Sequence, residues 1–145
     1  MSSSSASPPQ PSPSPKAGMT REEARALLEL ASREWTRRHP GVPQVPTPPQ
    51  WRFLNLQCRE ALYGGAAGGG KSSALLMAAL QYVHVPRYSA IIFRRTFADL
   101  AKADALMDRS KAWLSTSGAI WNEQQKVWRW PGGGTLAFGY LEHES

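Results

Sequence analysis

Cysteine is almost absent from this chain, which contains Cys58 and no other thiol. A single cysteine excludes an internal disulfide framework and a cysteine-based metal site. Long apolar runs are missing as well, and no stretch approaches the roughly 20 residues that a membrane-spanning helix needs. The opening Met-Ser-Ser-Ser-Ser lacks the basic and apolar segments of a secretory signal. We therefore expect a soluble protein of a reducing, intracellular compartment, with no membrane partner.

Acidic residues are also scarce, at 11 against 17 basic ones, so the net charge is +6. This balance permits contact with nucleic acid or another polyanion but does not establish it, since many soluble domains are basic. Residues 1–18 are dominated by Ser, Pro, Ala and Gln and cannot bury enough apolar surface to offset chain entropy. We expect them to form a disordered tail.

An amphipathic helix is predicted within residues 19–41. Thr20 and Glu23 have the spacing of a capping box, and Pro40-Gly41 would end the helix. Its apolar stripe consists of Ala24, Leu27, Leu28, Ala31 and Trp35. Three arginines lie near its end, Arg33, Arg37 and Arg38. They could contact DNA, although basic residues in a last turn more often form a solvated face. A proline-rich connector follows at residues 42–49.

Residues 64–72, Gly-Gly-Ala-Ala-Gly-Gly-Gly-Lys-Ser, match the phosphate-loop pattern GxxxxGK[ST]. Glycines let backbone N–H groups approach phosphate closely, and the start of the following helix adds partial positive charge. In this pattern Lys71 reaches the β- and γ-phosphates and the Ser72 hydroxyl holds Mg²⁺. The alternative is a flexible glycine-rich linker that happens to contain a lysine. A predicted strand at 60–63 and a predicted helix at 73–83 favour the phosphate loop.

A second apolar run, residues 89–94, is typical of a buried parallel strand. Arg94 and Arg95 lie at its carboxyl end, where open α/β sheets place their ligands. A helix is predicted from Thr96 to about residue 115, with a buried stripe of Leu100, Ala103, Met107 and Leu114. Its acidic residues are interpreted as solvated charges rather than metal ligands; they are Asp99, Asp104 and Asp108.

Residues 127–130 and 135–140 alternate in polarity around a Pro-Gly-Gly-Gly turn, which predicts a β-hairpin. Its aromatic residues are Trp128, Trp130, Phe138 and Tyr140. They could stack nucleic-acid bases, but cross-strand aromatic pairs are common in hairpin cores, and we favour the interpretation as core residues. The predicted fold is α/β. It is a partial P-loop NTPase fold over residues 50–145, with a small, mainly parallel sheet flanked by helices and a C-terminal β-hairpin.

Four stretches together resemble the large terminase subunit of tailed bacteriophages. They are Gln-Trp-Arg-Phe-Leu at 50–54, the loop with its approach at 62–72, Ile-Ile-Phe-Arg-Arg-Thr-Phe-Ala-Asp-Leu at 91–100, and Phe-Gly-Tyr-Leu-Glu-His at 138–143. The likeness covers about residues 45–145. It implies an ATPase motor that drives viral DNA into a preformed capsid in the cytoplasm of the bacterial host. The implied cofactors are ATP and Mg²⁺. The implied partners are double-stranded DNA, a portal protein, a small terminase subunit and further copies of the chain.

The resemblance also implies residue roles. Gln50 lies where such proteins carry a glutamine that reads the adenine edge. Lys71, Arg94 and Arg95 would be catalytic, with an arginine stabilising charge on the γ-phosphate; a structural ion pair is the alternative for the arginines. Ser72 would hold the metal. The residues expected to contact the nucleotide, besides Gln50, are Gly65, Ala66, Ala67, Gly68, Gly69, Gly70, Lys71, Ser72 and Ser73.

The sequence departs from that family in its acidic residues. The family needs an Asp-Glu pair after a later apolar strand and a separate nuclease domain, and neither occurs before Ser145. Glu142 and Glu144 are separated by His143. We therefore expect the amino-terminal part of a longer terminase, which binds ATP without turning it over. The alternatives are another P-loop ATPase or kinase, and a non-catalytic module that binds DNA or protein.

Overall fold

The computed structural model describes residues 18–39, 42–65, 70–96, 98–99 and 105–141. The helices are α1 (Arg21–Arg38), α2 (Pro48–Leu54), α3 (Lys71–Leu80) and α4 (Leu106–Leu114). The strands are β1 (Ser89–Arg94), β2 (Ile120–Asn122), β3 (Val127–Arg129) and β4 (Thr135–Tyr140). Several predictions concern residues outside those described: the tail at 1–17, Pro40, Gly41, Leu100, Ala103, Asp104, Glu142, His143 and Glu144.

Helix α1 begins where its cap predicts. Thr20 Oγ1 accepts a hydrogen bond from the Glu23 N–H at 3.2 Å, and the Glu23 carboxylate accepts one from the Thr20 N–H at 2.8 Å, so the capping box is confirmed. In the predicted stripe Trp35 is buried, whereas Leu27 and Leu28 are 39% and 50% exposed. The helix therefore joins the core through its last turns.

The basic end of α1 is paired within the helix. Arg37 and Arg38 both donate to Glu34, and these bonds lower the pKa of Glu34 to about 2. All three side chains remain substantially exposed. The pairing agrees with the interpretation of a solvated, charged face.

His39 connects the end of α1 to the core. Its ring stacks on Trp35 with centroids 3.9 Å apart, and its Nδ1 lies 3.1 Å from the Trp35 backbone oxygen. Burial lowers the pKa of His39 below its ordinary 6.5, and the nearby charges of His84 and Arg38 act in the same direction. Hydrogen bonds to backbone oxygens oppose this shift without cancelling it.

The lowered pKa of His39 makes stability depend on pH. Because the unfolded chain binds this proton more readily, the free energy of unfolding falls as the pH drops below 6.5 toward the lowered pKa. His39→Phe keeps a stacked ring and cannot titrate, so its stability should stay nearly level over this interval. Urea denaturation at a series of pH values measures the slopes. The carboxyls of Glu34 and Glu123 are ionised in both the folded and the unfolded chain until the pH approaches their ordinary value of 4.5, so they affect the slope only at lower pH.

A matched variant separates His39 from other titrating groups. His84 is exposed, so His84→Gln should retain most of the wild-type slope. Equal slopes in wild type and His39→Phe would contradict the assignment.

The sheet is mixed, with strand order β1-β4-β3-β2. Strand β1 runs parallel to β4, with Ile92 opposite Phe138, and β3 is antiparallel to both β4 and β2. The α/β class and the hairpin are confirmed, and the prediction of a mainly parallel sheet is wrong. The short turns joining β2, β3 and β4 allow only antiparallel pairing, since a parallel pair needs a long crossover.

The core lies between one face of the sheet and the helices α3 and α4. Its most deeply buried apolar side chains, each at most 2% exposed, are Ala74, Leu76, Met77, Leu80, Leu106, Leu114 and Leu136. Of the four hairpin aromatic residues assigned to the core, Trp128 and Phe138 are buried, at 5% and 6%, and Trp130 packs against the core. The assignment of Tyr140 is wrong, because it is 52% exposed near the end of β4. Met107 and Leu114 are buried as predicted, and Asp108 is exposed.

Three local predictions were wrong. The helix predicted from Thr96 to about residue 115 is interrupted at Ala105, whose backbone is extended with a ψ of 173° and caps α4. Residues 60–63 are irregular rather than a strand, and Leu62 is 98% exposed. A strand of that length needs a neighbouring strand and a buried face, and the described residues supply neither to this segment. Strand β1 forms as predicted but buries one face only, because Ile92 is 7% exposed while Ile91 and Phe93 are 55% and 50% exposed.

Candidate functional site

The glycine-rich loop ends at the start of α3. Gly70 is the N-cap of that helix and has a φ of +72°, and Gly65 has a φ of +140°. Both values lie in the region that side chains with a Cβ rarely adopt, so two of the glycines required by the pattern serve a backbone purpose. The loop centre, Ala66, Ala67, Gly68 and Gly69, lies outside the described residues.

Lys71 returns toward the beginning of the loop. Its Nζ donates a hydrogen bond to the Gly65 carbonyl oxygen at 2.8 Å. The ammonium therefore joins the two ends of the loop, beside the first turn of α3. An anion held by the loop would meet this charge.

Arg94 approaches the same turn from the sheet. It is half-buried at the end of β1, and its Nη2 donates to Ser72 Oγ at 3.1 Å. The Leu141 N–H bonds to the Arg94 carbonyl oxygen at 3.1 Å, so pairing with the chain after β4 fixes the strand end. Arg95, the other predicted arginine, is exposed, and the structure does not bring it to this hydroxyl cluster.

Arg109 is a third cation at this turn, and sequence reasoning missed it. It extends from α4, and its Nη1 donates to Ser73 Oγ at 2.6 Å. Ser73 is 4% exposed and Arg109 is half-buried. In the sequence, Arg109 stands between two residues of the predicted helix that prove to be buried, Met107 and Ser110. That position was the one hint of its role. Nothing in that spacing shows that the helix faces α3.

Gln50 is buried and bonded to backbone at both ends of its amide. It is 1% exposed, its Oε1 accepts from the Thr47 N–H at 2.9 Å, and its Nε2 donates to the Gly70 oxygen at 2.8 Å. These bonds attach the start of α2 to the cap of α3. Reading an adenine edge, the role implied by resemblance, would require the amide to give up these partners.

The site is therefore a cationic, hydroxyl-lined helix start. Lys71, Arg94 and Arg109 come from α3, β1 and α4, and the N–H groups of the first turn of α3 add their own partial positive charge. Guanidinium and ammonium donors in this arrangement suit a phosphate-like anion. Within the described ranges, no group of His, Cys, Asp and Glu side chains is placed to hold a metal ion.

A cleft of about 150 Å³ lies elsewhere, near the carboxyl ends of α1, α3 and α4. It is mainly apolar, and the described loop residues, 64, 65 and 70–72, do not line it. Its lining residues are Arg38, His39, Val42, Leu80, Val83, His84, Leu114, Ser117 and Trp130. The concentrated positive charge, rather than this cleft, marks the candidate site.

No protein-family model, curated protein or solved structure matches this chain. In the part of the chain that the structure describes, none of the helices combines the length and apolar character needed to cross a bilayer. The function of this site is therefore inferred from its local geometry and from the sequence resemblance.

Proposed function

We propose that this chain binds the phosphate groups of ATP at the glycine-rich loop and the first turn of α3. The observation that carries the proposal is that Arg94 and Arg109 reach the hydroxyls of the first turn from β1 and α4, while Lys71 of the same turn bonds Gly65 at the start of the loop. A linker that contained a lysine by chance would not be surrounded in this way. The positive φ values of Gly65 and Gly70 support the same conclusion.

The wider proposal is that the chain is the ATP-binding portion of a terminase large subunit, in a viral DNA-packaging motor within the bacterial cytoplasm. The resemblance of residues 50–54, 62–72, 91–100 and 138–143 supports it, because those stretches include Gln50, the loop and Arg94. Double-stranded DNA, a portal protein, a small subunit and further copies of the chain are partners under this proposal. It also places the fold among P-loop NTPases.

The residues at the site fit phosphate better than they fit a metal ion. Ser72 Oγ accepts a hydrogen bond from Arg94 and keeps one lone pair for Mg²⁺. Mg²⁺ prefers carboxylates, waters and substrate phosphates, so the phosphates of the nucleotide would supply most of its ligands. The contacts found at the turn involve cations and hydroxyls, which bind phosphate but provide no general base. We therefore propose binding of Mg-ATP with little turnover.

Replacing Lys71 with alanine tests the proposal. Hydrogen bonds to charged groups contribute about 1.5–3 kcal/mol, so the affinity for Mg-ATP should fall at least about tenfold in Lys71→Ala. Isothermal titration calorimetry with Mg-ATP measures the dissociation constants. Lys111→Ala is the matched control, because it also removes one positive charge. In wild type the Lys111 ammonium pairs with Glu123 at 3.2 Å and not with the loop, so this variant should keep the wild-type affinity.

Equal affinities in wild type and Lys71→Ala would remove the phosphate-loop assignment. Robust ATP turnover would favour another P-loop enzyme over a terminase portion. Tight DNA binding that weakens steeply with salt, without nucleotide binding, would favour a non-catalytic module.

A further inference from the structure

Helix α4 is fastened on two sides at adjacent residues. Arg109 bonds Ser73 at the start of α3, and Ser110, which is 0% exposed, bonds the sheet. Ser110 Oγ accepts from Trp128 Nε1 at 2.9 Å and donates to the Met107 carbonyl oxygen at 2.7 Å. A continuous chain of hydrogen bonds and backbone therefore runs from the phosphate site to β3.

We infer that Arg109 binds the phosphate groups and couples their presence to the position of α4 and of Trp128. The inference rests on the proposed function, and it adds a regulatory link from the same site to the hairpin. Arg109 would act on the anion directly and on Trp128 through Ser110.

The first step is an exchange of partners by the Arg109 guanidinium. Its present acceptor, Ser73 Oγ, is a neutral hydroxyl. A phosphate oxygen carries negative charge, so it adds a Coulombic attraction and a bidentate geometry that a neutral hydroxyl does not offer to the guanidinium. The guanidinium also offers five N–H donors, so after it leaves Ser73 Oγ it can contact more than one phosphate oxygen.

The second step is the transmission of this movement to the sheet. Arg109 and Ser110 share one turn of α4, and Leu106 and Met107 in the same turn are 1% and 4% exposed. Close packing allows little independent motion of one residue, so a displaced guanidinium shifts the whole turn. The Ser110 hydroxyl then changes its geometry toward Trp128 Nε1. Trp128 is 5% exposed, so its indole N–H reports the bond to Ser110 and not contact with solvent.

The test combines calorimetry with the assigned indole N–H resonance of Trp128 in ¹⁵N-labelled full chain, with Mg-ATP as the probe. In wild type, this resonance and the Arg109 Nε–H resonance should both shift as Mg-ATP is added. The dissociation constant fitted to each shift should equal the one measured by calorimetry. Arg109→Gln should bind Mg-ATP about tenfold more weakly, and Mg-ATP at saturation should no longer move its Trp128 resonance. Arg109→Lys, which restores the charge, should recover part of the affinity.

Arg33→Gln is the control, since it loses the same charge at an exposed position on α1. It should match wild type in both measurements. Wild-type affinity together with a wild-type Trp128 shift in Arg109→Gln overturns the inference and leaves ATP binding intact. Absence of ATP binding in wild type overturns the proposed function itself. If Arg109→Gln does not fold, the wild-type spectra decide, and resonances that stay fixed at saturation overturn the coupling.

Discussion

Replacing Gln50 with glutamate should destabilise the fold by about 3–4 kcal/mol at pH 7, although the two side chains have the same shape. The amide now donates to the Gly70 oxygen and accepts from the Thr47 N–H at a position that is 1% exposed. An ionised carboxylate could still accept from Thr47 but would face the Gly70 oxygen without a hydrogen. Burial would also remove it from water, so the charged form is penalised twice.

The loss should depend on pH in a defined direction. When it is protonated, the carboxyl introduced by Gln50→Glu can donate its O–H to the Gly70 oxygen and still accept from Thr47. Both this bonding and burial favour the protonated form, so they raise the pKa of the carboxyl above its value in the unfolded chain. The destabilisation is therefore largest at neutral pH and shrinks as the pH falls toward about 4. Urea denaturation at pH 7 and pH 4.5, with wild type as reference, measures this difference.

Gln57 provides the matched control for Gln50. Its side chain is exposed, so Gln57→Glu should change stability by no more than about 0.5 kcal/mol at either pH. If Gln50→Glu behaved like Gln57→Glu, the amide would not hold the cap of α3 in solution. A deficit in Gln50→Glu that persisted undiminished at pH 4.5 would show that the cost is not one of ionisation.

Replacing Gly134 with alanine should cost about 3 kcal/mol of stability. Gly134 is buried at the end of the hairpin turn, and a Cβ there would lie 2.9 Å from the Val83 carbonyl carbon and overlap its oxygen. Those atoms belong to the backbone, so no side-chain rotation relieves the overlap. The turn must instead move away from the segment after α3 and strain the pairing of β3 with β4.

Gly132 is the control for Gly134, because it lies in the same turn and a Cβ there would meet nothing within 4 Å. Gly132→Ala should change stability by about 0.5 kcal/mol or less. Thermal or urea unfolding of the pair measures the contrast. Similar values for the two variants would mean that the turn does not rest on Val83 in solution.

The local features of the fold were predictable where neighbouring residues alone decide them. Thr20 and Glu23 bond one another across one helical turn, so their spacing was enough to locate the start of α1. The hairpin followed from two alternating runs around a glycine-rich turn. Gly65 and Gly70, the two glycines that the loop pattern fixes, both take positive φ values.

Predictions failed where a distant segment decides the outcome. Residues 60–63 have strand-like composition, but no partner strand is described beside them. The parallel pairing of β1 with β4 joins residues 46 positions apart, such as Ser89 and Thr135, so neither segment alone reveals it. Residues with no motif, such as Arg109, reached the site because α4 packs against α3.

By itself, the sequence determined the cap of α1, the hairpin turn, the phosphate-loop pattern and the excess of positive charge. These depend on spacings of a few residues and on side-chain chemistry, which need no knowledge of distant contacts. The tertiary structure alone decided that Gln50 fastens the loop, that Arg94 and Arg109 join Lys71, and that β1 lies beside β4. Those outcomes depend on which apolar faces pack together, because burial sets the positions of the backbones that carry the polar groups.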